Sequence, residues 1–66
     1  MTLIQLLKKL NKDCDINIIF KDGCEILMSS EEAMESEFTS EDIEYIVAVK
    51  RNLLDVYVFN CYEFYR

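Results

Sequence analysis

SEDIEYIVAVKRNLLDVYV, residues 40–58, decides the fold, because it reads either as a hairpin or as one long helix. As a hairpin, Ile43, Tyr45, Val47 and Val49 alternate with Glu44, Ile46, Ala48 and Lys50, Arg51 and Asn52 make the turn, and Leu54, Val56 and Val58 return. Val49 would then face Leu54, Val47 would face Val56 and Tyr45 would face Val58, giving one apolar face. As a helix over residues 40–54, Ile43, Ile46, Val47, Leu53 and Leu54 would share a face. The β-branched content favours strands, since Val and Ile are stiff at χ1 and suit a pleated surface.

Immediately before this stretch lies a second hairpin and an acidic connection. Ile16, Ile18 and Phe20 alternate along Asp15–Lys21, and Cys24–Met28 returns after Asp22-Gly23. A two-residue loop would set Phe20 against Glu25 and mix the faces. A three-residue loop, Lys21-Asp22-Gly23, sets Phe20 against Cys24, Ile18 against Ile26 and Ile16 against Met28, all apolar. Gly23, the only glycine in the chain, then takes the left-handed position that the loop requires.

The segment Thr2–Lys12 predicts a helix. Thr2 with Gln5 fits a capping box, Leu3, Leu7 and Leu10 repeat at helical spacing, and Lys8, Lys9 and Lys12 sit where the helix dipole favours cations. Ser29 with Glu32 repeats the capping pattern, which predicts a short helix over Glu31–Glu37 held down by Met34 and Phe38. The expected architecture is a single α+β domain over residues 1–66, in the order α-β-β-α-β-β. Its N-terminal helix would cover a four-stranded antiparallel sheet of two hairpins.

Charge is unevenly placed. Asp22, Glu25, Glu31, Glu32, Glu35, Glu37, Glu41, Asp42 and Glu44 fall between Asp22 and Val49 with no Lys or Arg among them, while the flanks are slightly basic and the whole chain carries −6. Such a balance disfavours direct contact with nucleic acid and attracts basic proteins instead. Glu31, Glu32, Glu35, Glu37, Glu41, Asp42 and Glu44 are therefore the candidate partner-binding residues. The bland reading of each is a solvated face that keeps a hydrophobic small protein in solution.

A second candidate surface is aromatic. Five of the eight aromatic residues fall between Tyr57 and Tyr65, with Tyr57, Phe59 and Tyr65 on one parity and Tyr62 and Phe64 on the other. A strand apolar on both faces needs cover on both, which predicts an oligomer or partner interface, a homodimer included. With 52% hydrophobic residues in 66, a second buried surface is expected in any case.

Several function classes lack their residues. There is no His, so neither a Ser-His nor a Cys-His pair can be assembled, and the expectation is a protein that is not an enzyme and carries no cofactor. Cys14, Cys24 and Cys61 are an odd number without Cys-x-x-Cys spacing, which argues against zinc and against a disulfide framework, and for reduced thiols in a cytoplasm. No Asp-x-Asp-x-Asp-Gly loop offers a Ca²⁺ site. No apolar run approaches a membrane span, and no signal-peptide pattern is seen, so no membrane role is expected.

MTLIQLLKKLNKD, followed by an Asp-Gly hairpin, an acidic middle and a closing LLDVYVF, resembles the small proteins of phages and prophages of low-GC Gram-positive bacteria. Within that group the central acids are similar to those of anti-CRISPR inhibitors. The resemblance implies a phage-borne inhibitor in the cytoplasm of a bacterial host, presenting carboxylates to the nucleic-acid-binding surface of a basic partner such as a CRISPR nuclease. The alternative from the residues alone is a small oligomerisation or interaction domain working through Tyr57, Phe59, Tyr62, Phe64 and Tyr65.

Overall fold

The first hairpin has the register that keeps its apolar face whole. In the computed structural model, which describes residues 1–65, β1 (Asp15–Ile19) pairs antiparallel with β2 (Glu25–Ser29), Ile18 against Ile26 and Ile16 against Met28. Phe20 donates its backbone N–H to Cys24 at 2.9 Å, and Gly23 closes the turn onto Phe20 O at 3.0 Å with φ of 88°. That left-handed φ is open to glycine and strained for residues with a Cβ.

The second hairpin, β3 (Ile43–Lys50) and β4 (Leu53–Val58), forms as strands, and its turn at Arg51-Asn52 is the expected one. Its register is not. Lys50 faces Leu53 at the tip, but Ala48 faces Leu54, Ile46 faces Val56, Val47 faces Asp55 and Tyr45 faces Tyr57. Val49 and Glu44 are extra residues on β3, so each acts as a bulge. Slipping by one residue exchanges the faces. The exchange leaves the Tyr45 ring on the side away from the helices, stacked on Tyr57 at 4.3 Å, instead of burying a phenol beneath them.

The sheet itself corrects the antiparallel expectation, since it is mixed. Its order is β2-β1-β4-β3, with β1 and β4 parallel at the centre, Ile16 beside Leu54 and Ile18 beside Val56. Ile16, Ile18, Val56 and Val58 are essentially fully buried, so the two strands with most to hide lie between the other two. β2 and β3 therefore occupy opposite edges, and the 13 residues between Ser29 and Ile43 cross one face of the sheet. A crossover of about a dozen residues is what such parallel placement requires.

That crossover holds α2 (Ser30–Met34), shorter than the expected helix, and beside it lies α1 (Leu3–Leu7). Leu3, Leu6, Leu7, Ala33 and Phe38 pack on the sheet, whereas Met34 stays exposed. Beyond Leu7 the bonds tighten to i→i−3, with Lys9 N–H on Leu6 O and Leu10 N–H on Leu7 O, and the helix stops. Buried Ser30 then anchors the chain between α1 and β1: its hydroxyl donates to Lys12 O at 3.1 Å and its N–H to Cys14 O at 3.1 Å. A 3-10 helix, Tyr62–Tyr65, stands where the aromatic segment was expected to continue as strand. Among the described residues no helix is long and apolar enough to cross a membrane.

Gly23→Ala is expected to destabilise by about 1 kcal/mol, because nothing lies within 4 Å of the added methyl and only the positive φ opposes it. Ile18→Ala, which opens a cavity between central strands, is expected to cost about 2–5 kcal/mol. Urea unfolding midpoints of the two variants check both values.

Candidate functional site

The seven candidate acids do not form one surface. Glu32 is occupied by its own helix: its carboxylate accepts Ser29 N–H at 3.0 Å while Ser29 Oγ accepts Glu32 N–H at 3.1 Å. These bonds to Ser29 hold the Glu32 carboxyl below the usual range against a small opposing effect of desolvation. Glu31 and Glu35 line a shallow groove between the helices that Lys8 and Lys12 also line, so their field is partly cancelled. Glu37 and Asp42 are exposed, and Glu44 Oε1 accepts from Lys21 Nζ at 2.7 Å.

Glu41 is the exception. It is 4% exposed, and one carboxylate oxygen accepts from Tyr65 Oη and, at 3.1 Å, from Asn60 Nδ2. Its backbone carbonyl also accepts Leu3 N–H at 2.9 Å. Glu41 thus ties the start of α1, the end of β4 and the 3-10 helix together, and is closed to a partner. Burial, the bond to Glu41 and the charges of Glu41 and Glu37 push the Tyr65 hydroxyl well above the ordinary tyrosine value.

The aromatic candidates divide as well. Tyr62 and Tyr65 turn inward and join Phe20 and Phe38, with ring centroids 5.3 Å apart for Phe20–Tyr62 and 4.8 Å for Phe38–Tyr65. The edge-to-face geometry of Phe38 and Tyr65 is the favoured one for such pairs. Asp22 helps to hold this segment: desolvation opposes its ionised form, but N–H bonds from Tyr62, Glu63 and Cys24 outweigh it and lower its carboxyl below the usual value. Phe59 and Phe64 remain exposed, Phe59 beneath the Lys21 ammonium at 5.8 Å. Tyr57 lies on the open side of the sheet, where burial, then Tyr45, Asp55 and Glu25, raise its hydroxyl.

What the residue patterns did not single out is β3. Every residue in it after Ile43 is exposed. Tyr45 and Val47 share the open face with Asp55 and Tyr57, while Ile46 and Ala48 share the helix-side face with Val56 and Leu54. The helices do not reach that far, so Ile46 is 38% exposed although it lies on the core side, and Val47 is 43% exposed on the other. Nearer the centre, the open face is polar: Asn17 Nδ2 donates to Glu25 Oε1 at 2.7 Å and to Asp55 Oδ1 at 3.4 Å. On the far edge Leu27 is exposed singly between Glu25 and Ser29. The apolar exposure is therefore concentrated on one edge strand. Its signal was in the sequence, since IEYIVAVK is apolar on both parities and charged only near its ends.

Among the described residues no three His, Cys, Asp or Glu side chains gather to hold a metal. Cys14 is buried and Cys24 half-buried, as small apolar residues would be, but Cys61 is exposed. Comparison with protein-family models, with curated proteins and with solved structures gives no match for this chain.

Tyr65→Phe is expected to cost about 1–2 kcal/mol at neutral pH, because it leaves the buried Glu41 carboxylate short of a donor. The folded protein holds the Tyr65 proton more tightly than the unfolded chain does. The stability this supplies is complete below about pH 10 and falls as pH rises above it. Thermal unfolding between about pH 8 and 11 should show a steeper alkaline loss in the native protein than in Tyr65→Phe.

Proposed function

We propose that this protein is a non-enzymatic interaction module that engages a protein partner through the outer strand of its sheet. One observation carries the reading: β3 shows apolar side chains on both faces, Tyr45 and Val47 on one and Ile46 on the other, at a sheet edge. An edge strand offers unpaired backbone groups as well as side chains, and native proteins normally blunt such edges with charge, cover or bulges, the last of which fall on β3 only towards its ends, at Glu44 and Val49. Here the charges stand only near the ends, at Glu44 and Lys50. Of the aromatic candidates, Tyr57 supports this surface by stacking on Tyr45, while Tyr62 and Tyr65 serve the core.

A second reading rests on the exposed carboxylates of Glu31, Glu35, Glu37 and Asp42. In it the protein is an acidic inhibitor of the anti-CRISPR type, acting in a bacterial cytoplasm on a basic nuclease. Lys8 and Lys12 beside Glu31 and Glu35 weigh against it. The edge strand is the better supported of the two.

Immobilised native protein, Val47→Asp and Glu31→Gln/Glu35→Gln/Glu37→Gln separate the readings by what each retains, at low and high salt, from a bacterial lysate that also contains the untagged native chain. Retention that survives high salt and the triple substitution but disappears in Val47→Asp is the expected result. Retention lost in the triple variant and at high salt, yet kept in Val47→Asp, would transfer the function to the acids.

A further inference from the structure

We propose that the partner of β3 is a second copy of the same chain, whose β3 pairs antiparallel with it about a two-fold axis at Val47 to make one continuous eight-stranded sheet. This rests on β3 being the binding surface. It adds the identity of the occupant and the register.

The length of free edge leads to the register. At its start the edge is already covered: Thr2 bridges Asp42, Ile43 donates its N–H to Met1 O at 2.8 Å, and Leu3 donates to Glu41 O at 2.9 Å. Asp42 O meanwhile accepts from Phe59 N–H on the β4 side. Met1–Leu3 therefore lies along the edge opposite β4 as far as Ile43, and the uncovered edge runs from Glu44 to Lys50. Its midpoint is Val47. A two-fold there sets Val47 against Val47 of the second copy and Ile46 against Ala48, and brings the bulged ends together, Tyr45 near Val49 and Glu44 near Lys50.

Charge and polarity agree with that arrangement. The acidic end of the edge, Glu44, meets the basic end, Lys50, twice over, and every position between them is apolar. A parallel approach in the same register would oppose Glu44 to Glu44 and Lys50 to Lys50. Lys21 engages Oε1 of Glu44, on the same carboxylate that the second copy's lysine would approach. Like charges directly opposite destabilise a strand pair and unlike charges stabilise it, so antiparallel pairing is selected. Pairing would occupy the free backbone groups of the edge and give Ile46 and Val47 apolar cross-strand neighbours, Ala48 and Val47 of the second copy. A basic or acidic foreign peptide strand would lack this self-complementary order, and the isologous two-fold is the common form of a homodimer.

Sedimentation equilibrium tests the association, and its expected result is a monomer–dimer equilibrium little affected by salt. Val47→Lys places two ammonium groups on the axis and should weaken the dimer at least about tenfold. Glu44→Lys alone and Lys50→Glu alone should each weaken it, while Glu44→Lys/Lys50→Glu should recover most of the loss. In a Cys61→Ser background, Val47→Cys should form an interchain disulfide on mild oxidation and Tyr45→Cys should not. Directly opposed residues lie about 4.5–5.5 Å apart between Cα atoms, within disulfide reach, whereas Tyr45 is several residues from its own copy. All substituted side chains are exposed, and circular dichroism confirms that each variant folds. A native protein that stays monomeric, a dimer indifferent to Val47→Lys, or equal cross-linking from both cysteines would each overturn the proposal. Should the native protein stay monomeric while Val47→Asp still loses a partner from lysate, the interaction reading stands and only the self-pairing fails. A dimer indifferent to every β3 substitution removes both.

Discussion

The structure depends on the parallel pairing of β1 with β4. Ile16 and Ile18 from one strand and Val56 and Val58 from the other form the buried middle of the sheet, and Leu3, Leu6, Leu7, Ala33 and Phe38 pack against them. Each hairpin alone would be a marginal two-stranded ribbon. Joining them through their most apolar strands makes a single core. It also sends β2 and β3 to the two edges and makes the acidic connection cross the sheet, so the position of every other element depends on this one contact.

The local structure was legible in the residues and the assembly of the hairpins was not. Gly23 and the alternation of Ile16, Ile18 and Phe20 set the first hairpin to the residue, because a slip would have opposed Glu25 to Phe20. The Ser29–Glu32 capping box placed α2 for an equally local reason. Which strands meet between hairpins is a tertiary matter, decided by how much surface each must hide. INIIF and LLDVYV, each with an unbroken apolar row on one parity and a single polar residue on the other, carried that information, but it competes with the simpler meander in which β2 and β3 would touch. The slip in the second hairpin is of the same kind. Bulges at Glu44 and Val49 leave no mark in the alternation and arise because the Tyr45 ring is better placed on Tyr57 in solvent than beneath the helices.

The candidate surfaces were legible as composition and much less as geometry. Seven acids close in sequence became a capping residue, a buried tie, a salt-bridge partner and four exposed carboxylates. Glu41 shows why: its place is set by Leu3, Asn60 and Tyr65, which are remote from it along the chain. Tyr62 and Tyr65 were drawn inward because Phe20 and Phe38 leave an aromatic-lined end to the core, and the strand had to stop at Val58 for them to reach it. Those departures leave β3 as the place where the molecule exposes apolar surface on two faces and an edge together. Its two bulges limit regular pairing to the middle of the strand, since they fall towards the ends and leave Tyr45–Ala48 regular between them.

Native-state hydrogen exchange resolved by residue tests the central dependence on β1 and β4 most directly. If their pairing carries the fold, the hydrogen-bonded amides of Ile16–Ile18 and Val56–Val58 should exchange only through global unfolding, and those of β2 and the 3-10 helix through smaller openings. Equal protection of the two hairpins internally, with β1 and β4 amides at their junction exchanging readily, would show two separately stable units and contradict the account.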